Sequence, residues 1–429
     1  MSYTKSNELL TRAKKVTPLG AQTYSKSYRY FCEGNSPSFL EKGEGCKVWD
    51  VDGNEFIDFI CALGPVTIGY NNPQINEAII KQLNKGISFP QSTELEVELA
   101  EKLTEIIPCA EMVRFVKNGS DATTAAIRLA RAYTGKDIIA LCGYHGMHDW
   151  SIGTTVNNRG IPRNVCELSK TFDYNNINSL KKLFDENNKI AAVILEPIQG
   201  NGPKEGFLQE VRELTNKNDT ILIFDEVVSG FRYALGGASE LYNVVPDMAA
   251  FGKGMANGMP ISAVAGRRDI MKLIEQGVFV STTFGGEALS LAASLETIKI
   301  LEKEDTYKHI WRIGNLMLEG LTDIIQKKSL SDVLFTSGLA PHCGIMFEGK
   351  GNLDYLDVNS IFQQTMIEEG ILTVGINNIN LSHSELEIKK YLSTVNMAII
   401  NILKALERGT VKGILKGGKV NPVFKRNIK

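Results

Sequence analysis

The chain has 429 residues, 43% of them hydrophobic and 22% charged, with a formal net charge of −2. That balance argues against extended disorder, and the near-neutral charge argues against a dedicated nucleic-acid or anionic-membrane binder. The length exceeds one ordinary domain and predicts two or three packed units.

The first stretch, Met1–Val16, lacks the apolar run of a secretory signal. No later segment approaches the roughly 18 apolar residues of a membrane span, so a cytoplasmic protein is expected. The seven cysteines are scattered without a C-x-x-C pair and are expected to be reduced. The five histidines include one close pair, His145 and His148, without a ligand cluster at zinc spacing, so no metal is expected.

Cys46–Ile60 reads as a β-hairpin around Asp52-Gly53-Asn54. "STELEVELAEKLTEII" has helical periodicity, with Ser92 as its predicted cap. "MVRFVKN" is a short apolar run. The turn Asn118-Gly119-Ser120 follows, and then a helix that Gly135 closes. "DIIALCGY", "KIAAVILEPI", "TILIFDEVV" and "DMAAFGKG" read as further buried strands, with amphipathic helical stretches such as "NSLKKLFDENN" and "FLQEVRELTNKN" among them. Such alternation predicts an α/β fold with a mostly parallel sheet covered on both faces. From about Ser290 longer helices announce a second, smaller unit. The basic, Gly-rich end "KGGKVNPVFKRNIK" reads as a solvated tail.

The run "TILIFDEVVSGFR" ends an apolar strand on Asp225 and Glu226. A Walker B strand is written this way, but it needs a phosphate loop ending in Gly-Lys-Ser/Thr. Gly-Lys occurs in "TGKD", "FGKG", "EGKG" and "GGKV", never before Ser or Thr. The other chemistry with this pattern is pyridoxal phosphate binding. It requires a lysine for the Schiff base, a carboxylate at the ring nitrogen, a sandwich for the ring and donors for the phosphate. Lys253, between Gly252 and Gly254 after an apolar run, suits the lysine, because burial would lower its proton affinity. Asp225 suits the carboxylate, with Val227 two residues on and on the same face. Asn118-Gly119-Ser120 at a helix start suits the phosphate. Tyr144 suits the ring stack.

Together these segments resemble the class III (ω-type) aminotransferases of pyridoxal fold type I, closest to the glutamate-1-semialdehyde 2,1-aminomutase subgroup. The likeness runs from about Pro18 to Glu385 through "VWDVDGNEFIDF", "LGPVTIGY", "FVKNGSDATTAAIRLARAYTG", "GYHG", "EPIQGN", "LIFDEVVSGFR", "FGKGMANGMP" and "TTFGGEALSLAAS", in family order. The resemblance implies an aspartate-aminotransferase-like fold. Residues 71–305 would form the large cofactor domain, 1–70 an N-terminal part of the small domain and 306–429 its C-terminal part. It implies pyridoxal 5'-phosphate as cofactor, Lys253 as the Schiff-base lysine and proton carrier, and Asp225 at the pyridine nitrogen. Val227 and Tyr144 would sandwich the ring, while Asn118, Gly119 and Ser120 would hold the phosphate. Glu196 and Asn201 match polar residues near the ring hydroxyl. Thr283 matches a threonine reaching the neighbouring subunit's cofactor, which implies a homodimer with shared active sites.

The sequence also departs from the family pattern. The phosphate loop reads N-G-S-D-A where S-G-T-E-A is usual. Gly285-Gly286-Glu287-Ala288 stands where S-G-[NH]-P is usual, in a substrate-facing segment. No arginine occurs between Arg312 and Arg408 to take a substrate carboxylate; the aminomutase subgroup shares that absence, and Arg29 is the nearest match to its N-terminal arginine. "ILTVGINNINLSHSE" offers amides and hydroxyls instead. The expected activity is transfer of an amine from an amino-acid donor such as glutamate to an aldehyde or ketone, sugar-like or phosphorylated. Intramolecular transfer, as in the aminomutase, is the alternative.

Overall fold

The computed structural model describes residues 1–422, and residues 423–429 of the basic tail lie outside the described residues. Two compact units are present: Gly64–Thr67 with Pro73–Tyr307, and Met1–Leu63 with Ile68–Asn72 and the chain from Lys308.

The first unit is built on seven strands: β1 (Met112–Val116), β2 (Ile138–Cys142), β3 (Ser169–Thr171), β4 (Ile190–Leu195), β5 (Ile221–Asp225), β6 (Met248–Phe251) and β7 (Ser262–Gly266). Their order is β1-β7-β6-β5-β4-β2-β3. The pairs from β3 through β6 are parallel, whereas β7 is antiparallel to both its neighbours. β1 to β6 therefore all end at one edge of the sheet, the edge where open α/β sheets bind ligands.

Every residue of β4 and β5 is buried, which is why both read as continuous apolar runs rather than alternating ones. Helix α1 (Gly119–Thr134) lays Leu129 and the small Ala122, Ala125, Ala126 and Ala130 into the core, and the alanines bring helix and sheet close. It ends as expected on Gly135, whose φ of 65° is the left-handed cap conformation. The helix Glu94–Ile106 is capped by Thr93 rather than Ser92. Glu96, three residues on, returns the bond to the Thr93 backbone in a capping box.

In the second unit Lys47–Asp50 and Glu55–Asp58 form the expected antiparallel hairpin, and Ile371–Leu372 adds a parallel strand beside it. A three-stranded sheet of Leu334–Leu339, His342–Phe347 and Ile376–Asn378 packs with the helices Tyr355–Glu368 and Glu385–Arg408 around Phe59, Phe362, Val395 and Ile399.

Two expectations fail in this unit. Residues 416–421 are not a solvated tail. The backbone N–H groups of Lys416, Gly418 and Val420 donate to Gln364, Glu33 and Ser360, Val420 is buried, and Lys419 pairs with Asp354 and Asp357. The amides of "GINNINLSHSE" are not offered to a ligand either. Asn377 bonds Thr373 and Tyr391, Asn378 bonds Ile60 and His342, and Asn380 bonds Cys61 and Ser382. Buried amides must satisfy themselves, and these do so internally.

Candidate active site

The ends of β2, β4 and β5 sit side by side, because Cys142 is in register with Leu195 and Leu195 with Phe224. The residues that follow, Tyr144, Glu196 and Asp225, are thereby gathered at one edge. Glu196 Oε1 accepts from the Tyr144 backbone N–H at 2.8 Å. Asp225 Oδ1 accepts from the Val227 N–H at 3.1 Å, which fixes the carboxylate and the turn together. Its other oxygen, Oδ2, lies 2.8 Å from Nδ1 of His145. Asp225 and His145 are 4% and 2% exposed, so this pair is sealed from water. The remaining ring nitrogen of His145, Nε2, is buried with no hydrogen-bond partner among the described residues.

Asp225 is opposite Ala250 on β6, and Lys253 follows that strand by two residues. Burial pushes the Lys253 ammonium below the ordinary lysine range; Glu196 and Asp225 pull it back up, and Arg232 adds to the fall. Among the described residues no hydrogen bond or ion pair holds its amine. Lys253 also adopts φ 33°, a conformation that L side chains rarely take. Glu196 is pushed above the usual carboxylate range, first by burial and then by Asp225. One amine and two carboxylates thus share a poorly solvated corner, an arrangement typical of functional sites.

The phosphate candidates lie at the N-terminus of α1. Asn118 caps the helix and shares a capping box with Asp121. The Ser120 hydroxyl accepts from the Met147 N–H at 3.1 Å, joining this loop to the one after β2. Gly119 closes on Val227: a Cβ there would stand 2.8 Å from a Val227 methyl.

These residues fit pyridoxal phosphate. The start of α1 presents backbone N–H groups suited to an anion, a carboxylate is backed by a histidine, and the Lys253 amine has no hydrogen bond among the described residues. Tyr144 is 52% exposed.

Three more of the expected residues are exposed. Asn201 is on an exposed turn beyond Glu196. Arg29 is an exposed residue of the other unit, on the short helix Tyr28–Tyr30, and its carbonyl accepts from Asn421 N–H. Thr283 is exposed on the loop before helix α2 (Ala288–Leu301).

Three residues without an assigned role in the sequence reading belong to the same neighbourhood. His145 lies inside "GYHG", next to Tyr144. Glu287, the departure from the family pattern, caps α2 through the Leu289 and Ser290 N–H groups, and it pairs at 3.0 Å with Lys117, the residue before the phosphate loop. Burial raises the Glu287 carboxyl, but Ser290 and Lys117 outweigh it and hold the group below its usual range.

Residues 31–390 match the family model described as aminotransferase class-III. A 3-aminobutyryl-CoA aminotransferase of Cloacimonas acidaminovorans (strain Evry) is 45% identical over 312 residues, 71% of this chain and 74% of that protein. A glutamate-1-semialdehyde 2,1-aminomutase of Methanosphaera stadtmanae is 33% identical over 431 residues, 94% of this chain and 100% of that protein. Among solved structures, a PLP-containing form of the FumI protein of Sphingopyxis sp. MTA144 superposes with a TM-score of 0.86 at 27% identity, covering 94% of this chain and 98% of that one.

Proposed function

This chain belongs to the class III aminotransferases, enzymes that work with pyridoxal 5'-phosphate, and from that premise we propose that it passes an amino group between two molecules, using Lys253 as the proton carrier. The observation that carries the reading is the half-buried Lys253, whose amine has no hydrogen bond among the described residues and is faced by Asp225 and Glu196.

When bound, the cofactor supplies an electron-withdrawing ring that stabilises negative charge on the carbon bearing the amine. Asp225 would hold a proton on the ring nitrogen, and His145 would keep its carboxylate correctly turned. The N–H groups of Gly119 and Ser120, with the Ser120 hydroxyl, would take the phosphate. Val227 and Tyr144 would flank the ring, and Glu196 would face its polar edge. Lys253 would hold the cofactor covalently and, once released from it, take a proton from the substrate carbon and return it to a neighbouring atom.

The acceptor we favour is a 3-oxoacyl thioester, aminated at carbon 3 by a donor such as glutamate. The 45% identity to a relative named for 3-aminobutyryl-CoA supports this. A sugar-like acceptor loses its support, because the Asn-rich segment spends its amides internally. The second reading, an aminomutase, keeps one observation in its favour: the similarity to aminomutases extends over 94% of the chain.

Thr283 would reach the cofactor of a second copy of this chain. It is exposed beside Phe284, 57% exposed, and near Phe279, 74% exposed, large apolar rings that a homodimer would cover.

The test is steady-state turnover of the cofactor-loaded protein with 3-aminobutyryl-CoA and 2-oxoglutarate, against glutamate-1-semialdehyde alone. Glutamate and 3-oxobutyryl-CoA formed in equal amounts support the first reading. Formation of 5-aminolevulinate with no keto acid consumed supports the second and rejects the first.

A further inference from the structure

Gly64–Thr67 folds with the Lys253 unit, although the residues flanking it belong to the other. Arg232 is part of what holds it there. Its side chain is 1% exposed, and Nη2 donates to the Gly64 carbonyl at 2.6 Å and to Thr67 Oγ1 at 3.5 Å. A guanidinium does not give up its proton in a protein, so this is a permanent buried charge.

Thr67 carries the contact onward. Its Oγ1 is so close to the backbone after Lys253 that a Cβ on Gly254 would stand 2.9 Å away. Guanidinium, threonine hydroxyl and the Lys253–Gly254 peptide therefore lie in sequence. Lys253 itself holds its uncommon φ of 33° at the end of this chain of contacts, a conformation that persists only where the surroundings enforce it. Asp225 after β5 and Glu196 after β4 are the carboxylates facing the amine, with His145 behind Asp225.

We propose that Arg232 is a positioning residue for Lys253: it seats Gly64–Thr67 against the Lys253–Gly254 peptide and so fixes the backbone from which the amine is presented to Asp225 and Glu196. The same buried cation acts with burial against the pull of the two carboxylates on the amine's proton. The assignment concerns the proton on Lys253 and holds whichever carbonyl compound is the acceptor.

The experiment is a pH titration of the visible absorption band of the full-length protein loaded with pyridoxal 5'-phosphate, without substrate. The band reports the proton at the Lys253 nitrogen. Arg232→Gln keeps a donor for the Gly64 carbonyl and removes the charge. Its midpoint should rise by roughly one pH unit relative to wild type, since the nitrogen keeps its proton longer. Arg232→Lys, which restores a cation, should recover part of that rise. A midpoint in Arg232→Gln that coincides with wild type overturns the proposal. Should Arg232→Gln fail to fold or to take up cofactor, Thr67→Val removes the hydroxyl seat and leaves the charge. Its midpoint should shift from that of wild type, as the Lys253–Gly254 peptide loses its seat, and an unchanged midpoint there equally overturns the assignment.

Discussion

Nδ1 of His145 lies 2.8 Å from Oδ2 of Asp225, with both side chains sealed from solvent. A carboxylate in that setting is strongly desolvated, and the imidazole N–H is the donor that compensates it. His145→Leu should leave Asp225 short of one bond, at about 1–3 kcal/mol. Part of that loss should appear as cofactor release, roughly 5- to 150-fold in Kd if all of it does. Fluorescence titration of the cofactor-free variant with pyridoxal 5'-phosphate measures it. An unchanged Kd would assign His145 to packing alone.

Gly119 is a matter of space rather than backbone freedom. A methyl group there meets the Val227 methyls at 2.8 and 2.9 Å, so one of the two must move. Gly119→Ala should shift Val227 or the start of α1 at a cost of about 1–3 kcal/mol. The expected result is weaker cofactor binding with a melting curve lowered by only a few degrees, read by equilibrium dialysis and calorimetry.

Glu226, next to Asp225, is an anchor for the chain that follows. Its two oxygens accept from the Ser229 hydroxyl, the Ala238 N–H, the Ser239 N–H and the Ser239 hydroxyl. It ties down the segment that carries Val227 and Arg232. Glu226→Gln turns an amide N–H toward donors, and should cost about 3 kcal/mol of stability. Urea denaturation measures it; a loss below the error of the method would contradict the anchoring role.

The second unit holds a different pH-sensitive group. Asp58 is buried, and that burial raises its carboxyl to about 6, although the Tyr70 hydroxyl at 2.6 Å and the Ile60 and Cys61 N–H groups oppose the rise. A raised carboxyl favours folding most below its unfolded value of about 4. That contribution is lost as pH climbs through about 6, in all about 3 kcal/mol. The stability of wild type minus that of Asp58→Asn should therefore fall between pH 4 and 7, in urea melts at matched ionic strength. A flat difference would contradict it.

The strands that deliver the site were legible because each is a short apolar run closed by polar or glycine residues. β7, "SAVAG", and the three-residue β3 were not, since small or brief strands leave no hydrophobic pattern. Lys253 and Asp225 stood out by residue type at strand ends. His145 did not, because nothing local pairs it with a residue eighty positions away; tertiary structure alone supplies that contact. The Asn-rich segment and the basic tail misled for one shared reason. Polar composition suggests solvent or ligand, and whether amides are spent internally depends on partners distant in the chain, such as Ile60 for Asn378 and Ser360 for Val420.

The central claim is that Lys253 is the residue that carries the cofactor. Borohydride reduction of the loaded protein, followed by peptide mass mapping, tests it most directly. The account predicts a phosphopyridoxyl mass on the peptide containing Lys253 and on no other lysine, and its absence after Lys253→Ala. A label on a different lysine, or full activity in Lys253→Ala, would contradict it.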